Sequence, residues 1–481
     1  MGDRDQGGDP VTRLLSRRGV DQVTEHYLGE CRSTAGGLRT AVSDLEIAPP
    51  YVAANRLLSR PLFLSEHESS AVCADLAAFL DLLTSLPARL FGDDVLGYCA
   101  ELGMPKRRAE LLARVGEGRP VNYGRADLYH DGAAFKLLEF NVASDLGLVG
   151  DVESTGRLLG VPAFRRFADK FGLSYVHTGQ RVATSLRKAA SALPCGTDPV
   201  VAIICADRDF PDYRSILEAL QESLRGQGLT AVVGTLSQLR HRHNRLRLPA
   251  TAIDVVLRYF TVDTMLDDEA DGRAITHIVD AHRNGTVVLW TPMDSSLCSN
   301  KATLSMLSHP RWRAALSGME RELVDRVLPW TRSLVDDLID YCLRNRDELI
   351  LKPNTEFGGA GVVPGWENSD REWRRLLAEN RGRAHIVQRR VRPRPEWVVD
   401  PATGQLEQWV PVWGAFFTPE GAAGFSVRAV PDNCGAVVTY RNPRARIGSV
   451  FTYPDHLSPE GRERREGAMD LRHKQASVFQ R

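Results

Sequence analysis

The sequence carries no excess of either charge. Lys+Arg and Asp+Glu both number 61 in 481 residues. A chain so balanced has no electrostatic footprint for nucleic acid or an anionic membrane, and neither is expected as a partner. No apolar run reaches the length of a membrane span. The start, MGDRDQGGDP, is polar and acidic, so a signal peptide is not expected. No CxxC pair occurs among the eight cysteines. Several of them sit in apolar segments such as VAIICAD, and buried, reduced thiols in a cytoplasmic protein are the simplest expectation. There is no internal repeat, no GxxxxGK[ST] loop and no protein-kinase catalytic loop, which removes two large classes of phosphoryl-transfer enzyme.

What is present is ordinary globular composition, 43% hydrophobic and 25% charged, in a chain long enough for two or three domains. Residues 1–20 read as frayed, and the pattern from there to about 115 is helical. In SEHESSAVCADLAAFLDLLTSLP, Ser65 and Glu68 read as a capping box, Val72, Leu76, Phe79, Leu80 and Leu83 form one apolar face, and Pro87 helps to end the helix. Beyond GTDPV the pattern becomes β/α. VVAIICA, LTAVVG, AIDVVLRYF and GTVVLW are strands, and the first is continuously apolar, which predicts a small parallel sheet covered by helices. RHRHNRLRLP reads as a basic loop in which His241 and His243 are solvated rather than metal ligands. Later, NKATLSMLSHP predicts a short helix, ELILKPNTEFGGAGVVPG a strand entering a glycine-rich loop, AHIVQRRVRP a strand, and QWVPVWGAFFTPEGAAGFSVRAV a hairpin. The tail after about 455 is charged and peripheral.

The most informative stretch is RADLYHDGAAFKLLEFN, residues 125–141. It reads as two strands around an Asp-Gly turn, yet it carries Arg125, Asp127, Glu139 and Asn141. Residues two apart on a strand share a face. A two-residue turn would put the two polar pairs on opposite faces. A three-residue loop would set Arg125 opposite Glu139, Asp127 opposite Leu137, and all four side chains on one face. That loop, using Gly132 in a left-handed conformation, or an equivalent bulge, is predicted. Asp, Glu and Asn oxygens together are hard ligands suited to Mg²⁺, and a neighbouring Arg can hold an anionic group. A surface salt-bridge patch is the competing reading.

Other candidates are weaker singly. Lys352 is followed by Gly358, Gly359, Gly361 and Gly365, a loop whose N–H groups could cradle phosphate, or a plain flexible turn. Lys301 follows Asn300 at a helix start. Gln388 on a strand could serve the adenine edge or complete a local hydrogen bond. Together, two lysines, a glycine loop and an acid–amide set are what phosphoryl transfer from a Mg-nucleotide requires.

These residues resemble a known family. The chain is similar to circularly permuted ATP-grasp ligases related to the synthetase domain of glutathionylspermidine synthase. That family's R-x-D-x11-E-x-N hairpin is matched without a gap by Arg125, Asp127, Glu139 and Asn141. The acids precede Lys301 by about 160 residues, the permuted order. NKATLSML, LILKPNTEFGGAGV and IVQRRV resemble its later motifs, over roughly 60–450 in all. The resemblance implies an α+β fold: a helical N-terminal region (1–115), the metal-site hairpin and core (116–195), a Rossmann-like pre-ATP-grasp subdomain (196–299), nucleotide-binding lid subdomains (300–455) and a tail (456–481). It implies ATP and Mg²⁺, with the ion on Asp127, Glu139 and Asn141, phosphates on Lys301, Lys352 and the glycine loop, and adenine near Gln388. Arg125 and Arg428 would stand by the transferring phosphoryl group and Ser144 by substrate. The implied activity is ADP-forming ligation of a small-molecule or peptide carboxylate to an amine through an acylphosphate. A small-molecule kinase and a non-catalytic nucleotide-binding protein are the alternatives. After Asn141 the chain reads VASDLG where spermidine-conjugating relatives have Asp-Thr-Pro, and no Cys-His amidase domain accompanies Cys31. The resemblance therefore extends to neither that substrate pair nor amidase activity.

Overall fold

A computed structural model describes residues 20–458, except 34–36, 48–55, 93, 118–119, 148, 150–152, 195–197, 243–244, 250, 357 and 440–441. The N-terminal stretch to residue 19, His243 and the tail beyond 458, each read above from sequence, lie outside the described residues.

Strand β1 (Leu62–Ser65) runs straight into a helix, Glu66–Phe91. Ser65 caps it, its hydroxyl accepting from the Glu68 N–H at 3.0 Å. The Glu68 carboxylate meets His130 Nε2 at 3.2 Å. No capping box is formed, so that half of the expectation fails because Glu68 has a tertiary partner. Pro87 lies inside the helix rather than ending it, and the helix continues to Phe91. By length and composition this helix alone among the described residues could cross a membrane, contrary to the reading of the sequence. Here its Val72, Leu76, Phe79, Leu80, Leu83 and Leu86 pack into the main core.

The hairpin follows as β2 (Gly124–His130) and β3 (Phe135–Asn141). Next come β4 (Val200–Cys205) and β5 (Thr230–Thr235). The RHRHNRLRLP segment, expected as a loop, starts a three-stranded antiparallel sheet of β6 (Arg240–Arg242), β7 (Arg245–Leu248) and β8 (Thr251–Ala252). Leu246 and Leu248 anchor it in the core while β6 is exposed. Strands β9 (Val255–Tyr259) and β10 (Val288–Trp290) complete a parallel sheet in the order β10-β9-β4-β5. The apolar run in β4 is explained by this placement. Val201 and Ile203 enter one core cluster, Ala202 and Ile204 the other, so both faces of the strand are covered.

The remaining strands are β11 (Thr331–Ser333), β12 (Leu349–Pro353), β13 (Val363–Pro364), β14 (His385–Arg389), β15 (Glu396–Val399), β16 (Leu406–Thr418), β17 (Gly421–Pro431), β18 (Arg446–Gly448) and β19 (Val450–Tyr453). Strands β11-β14-β12-β13 form an antiparallel sheet, β18-β17-β16-β2-β3 a larger one with β15 paired to β16, and β19 lies parallel to β1. In the larger sheet the faces separate cleanly. Ala126, Leu128, Leu137, Phe140, Trp413, Ala415, Val427 and Ala429 belong to the main core. The alternate positions make the opposite face, where the polar residues of the hairpin lie.

Candidate functional site

The hairpin turn is neither of the two tight forms. His130 pairs with Phe135, leaving residues 131–134 as a four-residue loop with Gly132 at φ 102°. Asp131 Oδ1 accepts from the N–H groups of Ala133 and Ala134 and holds it. Continued unbroken, that register would turn Glu139 into the core. A bulge prevents this: Leu128 pairs with Leu137, but Asp127 pairs with Glu139 and Arg125 with Asn141. Leu138 is the extra residue. The predicted three-residue loop is thus corrected, and the equivalent bulge achieves its result, with all four side chains on one face.

The bulge also frees the Leu138 carbonyl from the ladder, and Lys352 Nζ donates to it at 3.1 Å. Lys352, on β12, is buried and donates also to Gln388 Oε1 at 2.7 Å. Lys301 Nζ lies 3.1 Å from Glu139 Oε2 and donates to the Glu356 carbonyl, in the glycine-rich loop, at 2.8 Å. Arg125 donates from Nε to Asp127 Oδ1 at 2.6 Å and from Nη2 to Oδ2 at 3.1 Å. Arg428, on β17, donates to Asp127 Oδ2 at 2.6 Å. The sheet that holds the hairpin, the β11–β14 sheet and the helix start at Lys301 thus meet in one cluster of charges.

Its electrostatics follow from burial and pairing. Burial pushes the Asp127 carboxyl up, but Arg125 and Arg428 outweigh it and hold it at about 2. Burial also opposes the ionised form of Glu139, and Lys301, with Lys352 further off, brings its pKa below the usual value. Burial lowers Lys352 to about 8, partly offset by Glu139. Asp127 is buried while Glu139 is partly exposed, so the charge set opens to solvent on the Glu139 side.

The donor chemistry fits a Mg²⁺ ion. An ionised carboxylate has about four acceptor positions, and the two guanidinium groups take three at Asp127. One remains there, with Glu139 and the amide oxygen of Asn141 on the same face, and hard oxygens are what Mg²⁺ takes. No cluster of three or more His, Cys, Asp or Glu able to hold a metal occurs among the described residues.

Two expected residues are engaged otherwise. Gln388 is buried, its oxygen accepting from Lys352 and its Nε2 donating to Thr331 Oγ1 at 3.1 Å. Its amide therefore braces Lys352 and is not open to an adenine edge in this state. Ser144 donates to the Arg258 carbonyl at 2.9 Å and accepts from the Thr291 N–H at 3.2 Å. It ties the hairpin exit to the parallel sheet. Gly358, Gly359 and Gly361 all have positive φ (63°, 80° and 66°), and the Gly358 carbonyl accepts from Thr439 Oγ1 at 2.8 Å.

Sequence reasoning missed Gly414. It pairs with Asp127 on one side and Ser426 on the other. A Cβ there would stand 2.9 Å from Arg125 Cδ and 2.8 Å from Ser426 Oγ. A larger residue there would push Arg125 or Ser426 aside, and no local pattern marks a glycine needed for a neighbouring strand's side chain. A larger open groove of about 610 Å³, between the Lys106–Val115 and Glu269–Arg283 helices, lies elsewhere and includes none of the predicted site residues.

Sequence comparison matches no family model and no curated protein. Comparison of folds finds a glutathione synthetase-like effector (GSS30) of Globodera pallida in its apo form. That similarity has 15% identity and a TM-score of 0.55, covering 94% of this chain and 100% of that one. A second similar structure is described as "Putative gamma-glutamylcysteine synthetase" from Methylobacillus flagellatus KT, with 13% identity, a TM-score of 0.40, and 80% and 89% of the two chains covered. The chain therefore has a mixed α+β fold resembling that of the glutathione synthetase-like structure.

Proposed function

We propose that this chain is an ADP-forming carboxylate–amine ligase that uses ATP and works through an acylphosphate, on an ATP-grasp fold in permuted order. The observation that carries the reading is the convergence of two lysines from separate elements on the acid hairpin, Lys301 on Glu139 and Lys352 on the Leu138 carbonyl, each at 3.1 Å. The likeness to a glutathione synthetase-like structure supports it at the level of fold.

In this reading Lys301, Lys352 and the glycine loop bind the nucleotide phosphates, and Arg125 and Arg428 face the group in transfer. Asp127, Glu139 and Asn141 hold Mg²⁺, which when bound neutralises phosphate charge. The carboxylate substrate takes the γ-phosphoryl group from ATP and ADP leaves. The amine attacks the acyl carbon, the C–O bond to phosphate breaks, and amide and phosphate are released. The loop at 353–365 closes over the site, since an exposed acylphosphate hydrolyses. The seven described cysteines are free, which supports a reducing, cytoplasmic location.

The test is an ADP-release screen over amino acids, peptides and polyamines with mass spectrometry of the products. A stoichiometric amide is expected. A phosphorylated product with no amide would instead make the chain a small-molecule kinase. No ADP from any pair would leave nucleotide binding without catalysis.

A further inference from the structure

The groove of about 610 Å³ between the Lys106–Val115 and Glu269–Arg283 helices contains no residue of the acid–lysine site. It is open to solvent above but bounded at both ends. At one end Arg283 Nη2 donates to the Arg114 and Gly116 carbonyls at 2.9 and 3.1 Å, and His282 Nε2 stands 3.3 Å from Glu117 Oε2. At the other end Arg108 Nη2 meets Asp263 at 3.0 Å. The base is apolar, with Leu111 and Met265 buried and Leu266 half-buried. The charges of the rim are unevenly answered. Arg273 donates to Glu269, four residues before it, at 2.7 Å. Glu110 lies four residues from both Lys106 and Arg114, and it is turned to Lys106 at 3.7 Å. Arg107 and Arg114 form no ion pair with any described residue.

Seven residues apart, these two arginines share one face of their helix, and their Cα atoms are separated by two turns, about 10.5 Å. Leu111 lies between them on that face. A helix docked in a groove needs open ends to run through, and here both ends are tied shut, so the space suits a small molecule. The chemistry of that molecule follows from the lining. A single anion would answer one guanidinium and leave the other. A compact dianion could not reach both, and it would leave the apolar base in water. Two carboxylates joined by an apolar chain would give each guanidinium a planar partner and cover Leu111, Met265 and Leu266 between them.

We propose that this groove is a binding site for a linear dicarboxylate, held at its two ends by Arg107 and Arg114 and separate from the acid–lysine site. The proposal stands whether or not the chain is a ligase. The full chain, without nucleotide, would be titrated calorimetrically with suberate, with the shorter succinate, with the monoanion octanoate and with octane-1,8-diamine. Suberate should bind more tightly than succinate and octanoate, and the diamine should not bind. Arg107→Gln and Arg114→Gln should each lower suberate affinity about fivefold, the scale of one partly exposed guanidinium–carboxylate pair. Glu110→Gln should raise it, because the carboxylate beside Arg114 is then gone, and a damaged fold would not produce a gain. Urea midpoints close to that of the parent chain report that the three variants are folded. Succinate or octanoate bound as tightly as suberate, unchanged affinity in either arginine variant, weaker binding in Glu110→Gln, or no suberate bound at millimolar concentration would overturn the proposal.

Discussion

Asp127 and Glu139 face each other across the hairpin but answer differently to substitution. Asp127 is buried between two guanidinium groups. In Asp127→Asn both cations lose their counter-charge inside the protein, and breaking such a pair typically costs about 3–5 kcal/mol, a fall that urea unfolding would measure. Glu139 is partly exposed, though its partner Lys301 is buried, so Glu139→Gln should lower the urea midpoint less than Asp127→Asn does, while ADP formation falls about 100-fold, the scale of losing one charge-stabilising group. Equal destabilisation by both variants would contradict this division of labour. Lys352 adds a pH dependence. Its pKa is about 8 in the folded chain, below about 10.4 when unfolded. Between those values the unfolded chain binds the extra proton, so this residue's contribution to stability rises with pH. Phosphate binding runs the other way, because the ammonium is lost as pH rises through 8. Mg-ATP affinity should therefore decline from pH 7 to 9, and Lys352→Arg, charged throughout, should flatten the decline. Asp127 acts at the other end: held at about 2 against about 3.9 unfolded, its stabilisation is complete above pH 4 and is lost as pH falls toward 2.

At the scale of elements, what the sequence discloses depends on whether the determinant is local. The β4 run, the Ser65 cap and the β16–β17 hairpin follow from residues within a few positions of each other, and all are found where the pattern puts them. The hairpin's common face was readable from its polar spacing, but the device was not. A four-residue loop plus a bulge at Leu138 does what a three-residue loop would have done, and only the bulge delivers a carbonyl to Lys352. The hydrogen bonds of Gln388 and Ser144 were not readable, because their partners lie 36 and 114 residues away. Pro87 was misread because a helix continues past a proline when packing holds both sides. The glycine loop gives the element-scale prediction. Gly359 has φ +80°, and a Cβ on it would stand 2.8 Å from Val437 Cγ1. Gly359→Ala should cost roughly 1 kcal/mol or more through the positive φ and loosen the loop from the 435–439 segment. Limited proteolysis should then cut near 355–362 faster than in the parent chain; an unchanged rate would show that the contact does not hold the loop.

At the scale of the molecule, the site is assembled from segments that do not share a sheet. Lys352 and Gln388 belong to the β11–β14 sheet, Asp127, Glu139 and Arg428 to the larger one, and Lys301 to neither. The cations of one part are held by the acids and carbonyls of the other, Lys301 by Glu139 and Lys352 by the Leu138 carbonyl. A triphosphate with Mg²⁺ would replace these contacts with stronger ones, the lysines turning to phosphate and the acids to the ion. A ligand that bridges two sheets binds only when both are folded and docked, and it stabilises the whole chain by RT ln(1 + [L]/Kd), about 2.7 kcal/mol at a hundredfold excess over Kd. Mg-ATP should therefore raise the melting temperature of one cooperative transition by a few degrees. ATP with a chelator should do so less, because the acids then face the phosphates without the ion between them. In Glu139→Gln the difference between the two nucleotide conditions should shrink, since one ion ligand is gone and one source of repulsion with it. A melting shift independent of Mg²⁺ in both chains would remove the hairpin from the nucleotide site, whatever the lysines bind.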